Sequence, residues 1–233
     1  MRNLIRRAVN GTLGLWGYEF RRKHKDIQVL GAVGFATIID GGANIGGYSV
    51  MMRSAAPNAM IHAFEPTPKL FQELSRRFAA DDAITCYNQA LGDKCSTAAF
   101  HLTPDTVSSS LLEETDEGLR QSREVVTVPV ITLDAWADGR TIQRPALLKL
   151  DLEGNELAAL RGAEKLLTQI DYVELETTFP KVRYGQPAFK EILIFMDDHG
   201  FDFIDIYPGI LDIQTGRSMW ADALFARRAP SVE

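Results

Sequence analysis

The sequence predicts an α/β protein of the doubly wound, Rossmann-like kind: a mostly parallel seven-stranded sheet with helices on both faces, finished by an antiparallel strand pair near the C-terminus. Three observations predict it. A β-branched run, Thr37-Ile38-Ile39, ends in Asp40 and passes through Gly41-Gly42-Ala43-Asn44-Ile45-Gly46-Gly47 into a helical segment, Tyr48 to Arg53. That order of strand, glycine-rich turn and helix opens nucleotide-type sites in such sheets. A second apolar run, Ile61 to Phe64, ends in Glu65, 25 residues after Asp40 (65 − 40), and an acid at the tip of the next strand is placed to accept hydrogen bonds from ribose hydroxyls. Finally, Phe201 to Tyr207 and Ala223 to Arg227 read as an antiparallel pair joined across Pro208-Gly209.

The totals agree with one domain. At 233 residues, 45% of them hydrophobic and 24% charged, the chain can bury a core of its own and needs no disulfide scaffold. A net charge of −6 argues against a general nucleic-acid binder. Cys86 and Cys95 have no metal-ligand spacing, which fits a reducing, cytoplasmic setting. No apolar run approaches the ~20 residues of a spanning helix, and the start of the chain lacks the pattern of a secretory signal. Residues 1–30 read as a basic helical extension and 31–229 as a single domain. In the first 25 residues Arg2, Arg6, Arg7, Arg21, Arg22, Lys23 and Lys25 stand against Glu19, a net +6 (7 − 1). Leu4, Ile5, Ala8, Val9, Leu13 and Trp16 recur at roughly helical spacing. Such an element touches anionic lipid or packs on the domain beside the cleft; the packed arrangement is the expectation.

The turn after Asp40 narrows the ligand. The middle glycine that lets a backbone approach a pyrophosphate is missing, since the third loop position is Ala43 or Asn44, and no Gly-Lys-Ser/Thr follows. Asp40 instead suits a ligand with a cationic end, such as the ammonium and sulfonium of S-adenosylmethionine. Pro66 stops the second strand and leaves Glu65 at the sheet's carboxyl edge.

The remaining elements follow in order. Pro68 to Ala80 reads as a helix and Ile84 to Tyr87 as a strand. Thr97 to Leu102 and Val125 to Val130 are paired strands around a polar loop, Thr103 to Arg123, which contains Ser108-Ser109-Ser110 and whose length marks it as functional or mobile. Thr132 caps a short helix. Ala146 to Glu153 reads as the fourth strand, and Lys149, Asp151 and Glu153 share one of its faces while the chain stays extended. Three charges on a central strand are costly unless paired or used. Leu157 to Leu167 is a helix, Tyr172 to Glu176 the fifth strand, and Phe189 to His199 a helix stopped by Gly200.

Asp40-Gly-Gly-Ala-Asn-Ile-Gly46, His62-Ala-Phe-Glu-Pro66, Ala90-Leu-Gly-Asp93, Thr132-Leu-Asp134 and Leu148-Lys-Leu-Asp-Leu-Glu-Gly-Asn-Glu156 together resemble the ordered motifs of FkbM-type methyltransferases. The resemblance runs from about Thr37 to Glu176. It implies a class I methyltransferase fold over 31–229, S-adenosylmethionine as donor, and transfer to an oxygen, often of a sugar or polyketide hydroxyl. Gly41 departs from the pattern, where many members carry a bulkier residue, and should loosen the turn. By resemblance Gln89 sits beside the adenine. The expected cofactor contacts are Asp40, Gly41, Gly42, Asn44, Gly46, Tyr48, Ser49, Glu65, Pro66, Gln89, Ala90 and Asp151.

Removal of the acceptor's proton has candidates in Asp151, Glu153, Glu176 and His101, with Lys149 holding the geometry. Asp151 with Glu176 is the candidate pair for a divalent metal. The expected partner is a small-molecule or glycan acceptor; nucleic acid is not expected, membrane-surface contact through the N-terminus is not favoured, and the oligomeric state is unassigned. A dinucleotide oxidoreductase and a non-catalytic binding module are the rival readings.

Overall fold

The computed structural model describes residues 18–20, 30–103, 108–115 and 124–229. Most of the basic extension therefore lies outside the described residues. The short piece of it that is described, β1 (Tyr18–Phe20), is a strand and not a helix.

A parallel strand covered on both faces has no wet side, so it reads as an unbroken apolar run. β2 (Thr37–Gly41) obeys this rule, with every residue buried. α1 (Gly47–Ala55) returns the chain to β3 (Met60–Phe64), and α2 (Pro68–Arg77), opened by a proline in its first turn, leads to β4 (Ile84–Tyr87). Three strands then leave the main sheet: β5 (Ala90–Leu91), β6 (Ser96–Leu102) and β7 (Glu124–Ile131) form a small sheet in the order β5-β7-β6. The Thr132 side chain caps α3 (Leu133–Ala137), as its sequence predicts, by accepting from the amide of Ala135. β8 (Ala146–Leu150), α4 (Glu156–Arg161), α5 (Glu164–Leu167), β9 (Tyr172–Thr178) and α6 (Phe189–Asp198) follow. β10 (Phe201–Asp212) and β11 (Ser218–Arg227) end the main sheet.

That sheet has the order β4-β3-β2-β8-β9-β11-β10-β1. The five strands from β4 to β9 run parallel, and β11 lies antiparallel between β9 and β10. The predicted seven strands and antiparallel finish are all present, with β1 added at the β10 edge. Register explains how one sheet serves two cores. Ile84, Ile61, Ile38 and Leu147 are lateral neighbours and face Met52 of α1. One residue further on, Ile39, Leu148 and Val173 face the other way, toward the layer of α3 to α6.

Three boundaries differ from expectation. β8 ends at Leu150, so Asp151 and Glu153 lie in a turn and not on the strand, and a left-handed φ of +54° at Glu153 swings the chain aside. The predicted helix from Leu157 to Leu167 is two helices broken at Gly162. A Cβ there would stand 2.1 Å from the carbonyl oxygen of Gly92, so close approach of β5's loop requires glycine. The C-terminal strands turn at 213–217, and Pro208-Gly209 lies inside β10 at a bulge.

Candidate active site

The strand order reverses between β2 and β8, and the crevice at that point is where open α/β sheets bind ligands. A cavity there encloses about 650 Å³, its open mouth included. Its floor is the turn after β2. Gly42 has a φ of +76°, and a Cβ on it would lie 1.9 Å from the carbonyl oxygen of Asp151, so the two carboxyl-end loops touch backbone to backbone. Asn44, also left-handed, donates its amide to Glu65 Oε2 at 2.9 Å, and the Thr67 amide donates to Oε1 at 2.8 Å. The Asn88 side chain donates to the carbonyls of Glu65 and Pro66. Glu65 is thus fixed at the cavity's edge; burial pushes its carboxyl up, and the two amides pull it back. Phe64, Gln89, Ala90 and Leu91 make one wall, and Phe100 and Leu111 face them.

Beneath the floor runs a buried polar row. Asp40, Lys149 and Glu174 are lateral neighbours on β2, β8 and β9, on the face that meets α1. Lys149 Nζ lies 3.4 Å from Asp40 Oδ1 and 3.4 Å from Asp151 Oδ2. Ser49 donates to Asp40 at 2.6 Å and the Tyr48 hydroxyl to Glu174 at 2.6 Å. Burial alone would lower the pKa of Lys149, but Asp151, Asp40, Glu174 and Asp222 outweigh it and raise it, so the ammonium stays charged. The row ties α1, and with it the glycine turn, to the middle of the sheet.

Acids gather where β8 gives way to its turn. One carboxylate oxygen from each of Asp151, Glu153 and Glu176 lies within 4.8 Å of the others. Arg183 Nη2 donates to Glu153 Oε2 at 2.8 Å and to the carbonyl of Ser108 at 2.9 Å. Burial, aided by Asp151 and Glu156 and opposed by Arg183, pushes Glu153 up to about 8. Burial raises Glu156 to about 7 although Oε1 accepts from the amides of Leu152 and Gly154, bonds that shape the turn. Glu176 is driven well up by burial and by Asp151, Glu153, Glu156 and Asp222. Over this cluster lies part of the serine loop. Ser110 donates to the Glu153 carbonyl at 2.9 Å, and residues 113–115 pair with 182–184.

A model of the methyltransferase FkbM domain matches residues 40–203, well over half of the chain. The chain belongs to the FkbM methyltransferase family. Methyltransferase sdnD of Sordaria araneosa is 28% identical over 219 residues, covering 81% of this chain and 78% of that one. Hexuronic acid methyltransferase AglP of Haloferax volcanii is 24% identical, over 59% of this chain and 54% of its own. The 31-O-demethyl-FK506 methyltransferase FkbM of Streptomyces tacrolimicus is 24% identical, over 72% and 73%. The crystal structure of an FkbM methyltransferase from Methylobacillus flagellatus superposes with a TM-score of 0.52 at 17% identity, covering 83% of this chain and 44% of that chain, which supports the fold. FkbM membership puts this chain among S-adenosylmethionine-dependent methyltransferases and sets the dinucleotide oxidoreductase reading aside.

In this FkbM fold the expected residues divide by depth. Gly42, Asn44, Glu65, Pro66, Gln89, Ala90, Asp151 and Glu153 line the cavity. Asp40, Tyr48 and Ser49 do not; Asp40 is fully buried and holds Lys149 and Ser49, so the structure gives it no path to a ligand's ammonium. Gly46 packs on Leu74 and Phe78. Gly41 is a strand residue whose missing Cβ is replaced by Leu91 and Leu150, so the turn is filled and not loosened. Lys149 and Glu176 sit behind the cavity, each against Asp151. His101 follows Phe100 on β6 and so points to the opposite face; its backbone pairs with Ser110 and its ring does not line the cavity. Sequence reasoning missed Arg183 and Asn155, whose amide donates to the Leu91 carbonyl. Asn155 lies within the Leu148 to Glu156 motif, whereas nothing near Arg183 marks it.

Among the described residues, no helix is long and apolar enough to cross a membrane.

Proposed function

We propose that this protein transfers a methyl group from S-adenosylmethionine to a hydroxyl of a small molecule or glycan, with a sugar-like acceptor foremost. One observation carries the reading: the carboxyl of Glu65, held by two amides, and the acids Asp151 and Glu153 line the same cavity at the switch point. The names of AglP, a hexuronic acid methyltransferase, and of the 31-O-demethyl-FK506 methyltransferase support oxygen-bearing acceptors of those two kinds.

The cavity fits the donor in its chemistry. Glu65 offers a carboxylate to ribose hydroxyls, the apolar side of Phe64, Ala90 and Leu91 suits a purine, and Gln89 offers an amide to its edge. S-adenosylmethionine supplies an electrophilic methyl group on a sulfonium, and a site edged with acids holds that cationic donor more tightly than the neutral thioether left after transfer. The protein's share is then to hold the acceptor oxygen about 3–3.5 Å from that carbon, exclude water and take a proton. In this reading Asp151 and Glu153 receive the acceptor, one of them accepts the hydroxyl proton, and Lys149 and Arg183 fix the two carboxylates from behind. Segment 108–115 closes the acceptor side. A cytoplasmic setting belongs to the same reading and is supported by the free thiols of Cys86 and Cys95.

The test is release of S-adenosylhomocysteine with a panel of nucleotide-sugars, uronic acids, glycans and polyketide alcohols, beside calorimetric binding of S-adenosylmethionine. Donor binding with turnover on a hydroxylated acceptor is expected. Donor binding with no turnover across the panel favours the non-catalytic reading.

A further inference from the structure

Glu176 stands apart from the other acids around the site. It is 8% exposed, more than nine-tenths buried, and among the described residues its carboxyl makes no hydrogen bond or ion pair. Its neighbours repel it: Asp151 and Glu153 approach from the turn after β8, and Asp222 stands opposite it on β11. Its oxygens keep slight solvent contact, but burial and the neighbouring acids penalise the charged form, and such groups persist where something compensates them. Glu65 and Glu156, equally buried, are each held by two backbone amides. Glu176 has no such arrangement and is aimed at two other carboxylates.

The spacing suits a cation. Oxygens bound to one ion lie at most ~4.2 Å apart on Mg²⁺ and ~5 Å on the larger Ca²⁺. One oxygen from each of Asp151, Glu153 and Glu176 falls within 4.8 Å of the other two, so side-chain adjustments that shorten the spacing by ~0.6 Å close the set on the smaller ion. Asp151 meets Lys149 through Oδ2, and Glu153 meets Arg183 through Oε2. Neither contact uses up a carboxylate, which has two oxygens and room for about four bonds. Lys149 and Arg183 hold these two carboxylates in place, and fixed outer partners of this kind orient metal ligands. Three oxygen donors with no histidine or cysteine among them select a hard ion over zinc.

We propose that Asp151, Glu153 and Glu176 bind one divalent cation of the Mg²⁺ or Mn²⁺ kind beside the cavity. An octahedral ion held by three protein oxygens keeps three positions for water or for acceptor oxygens. A vicinal diol can take two of these at once, which would align one hydroxyl and lower its pKa. This rests on the hydroxyl-acceptor reading above for its use, but not for its existence.

Mn²⁺ alone, titrated into the metal-stripped full chain and followed by its paramagnetic resonance signal, tests it directly. One ion per chain with a dissociation constant below about 1 mM is expected, weakened at least tenfold by Glu176→Gln and by Asp151→Asn. S-adenosylmethionine binding is measured in the same samples by calorimetry. Absence of a bound ion in a chain that binds S-adenosylmethionine overturns the proposal, as does an ion whose affinity neither variant changes. Should Glu176→Gln fail to fold, the wild-type titration and Asp151→Asn, at a more exposed residue, decide the matter. Loss of all turnover in a chain that still binds Mn²⁺ would instead count against the proposed reaction and leave the cation site standing.

Discussion

Replacing Glu65 with alanine isolates the donor's ribose anchor. The carboxyl accepts two backbone amides, from Asn44 at 2.9 Å and Thr67 at 2.8 Å, so it is presented and not free to swing away. A ribose hydroxyl donating to this group makes a hydrogen bond to a charged acceptor, worth about 1.5–3 kcal/mol. At about 1.4 kcal/mol per tenfold, Glu65→Ala should weaken S-adenosylmethionine binding by ~10- to ~150-fold. The same change strands two amides at the left-handed Asn44 turn, so a fall in stability of about 1–3 kcal/mol should accompany it. Glu65→Gln keeps one acceptor oxygen but turns an NH₂ toward the other amide, and should fall between the two. Calorimetry on variants shown folded by circular dichroism gives the dissociation constants, and chemical unfolding gives the stability. An unchanged constant in a folded Glu65→Ala chain refutes the ribose assignment.

Lys149→Met should destabilise the fold by about 3–5 kcal/mol in urea unfolding, because it leaves Asp40 and Asp151 without the cation between them in a buried place. Gly42→Ala should cost at least ~3 kcal/mol, since its Cβ meets a backbone oxygen that cannot step aside, whereas Gly34→Ala, at a similar φ with open space around it, should cost only about 1 kcal/mol. His62, packed edge-on against Trp136 and pushed down to about 4 by burial and then by Arg140, makes stability depend on pH. Its imidazole is neutral in both states above about 6.5; as pH falls from there toward 4 the unfolded chain protonates first and stability is lost, by at most ~3 kcal/mol and about 1–2 after allowing for partial exposure. His62→Phe should flatten that slope in urea melts run between pH 7 and 4.

What could be read in the sequence was whatever local pattern decides. Thr37 to Asp40 announces a doubly covered strand because all its positions are buried, and Glu65 could be placed because its offset follows from one strand, turn, helix and strand in succession. The end of β8 could not be read. Leu150-Asp151-Leu152-Glu153 alternates like a strand, and only the contact of Gly42 with the Asp151 carbonyl and the left-handed Glu153 bend it away. Arg183 matters because a segment 30 residues downstream folds back onto Glu153, a meeting that neither neighbourhood encodes. The turn at 213–217 did carry a signal that Pro208-Gly209 masked: Asp212 Oδ1 accepts from the amide of Gln214 and Oδ2 from the hydroxyl of Thr215, just before Gly216.

The attachment of segment 108–115 has a consequence for what opening the site would expose. The donor's side of the site is anchored in the sheet through Asp40, Lys149 and Glu174 and exists before anything binds. The segment's own ties run to His101, Thr103, Glu153, Arg183 and the 182–184 backbone, none of them in the strands of the main sheet. Ser109 and Leu111 of this segment also line the cavity, so opening it would bare the apolar wall at Ala90 and Leu91 while leaving the buried row beneath the floor in place. In the proposed reaction, changes in segments 108–115 and 180–187 would reshape the acceptor's side while the buried row of Asp40, Lys149 and Glu174 is kept.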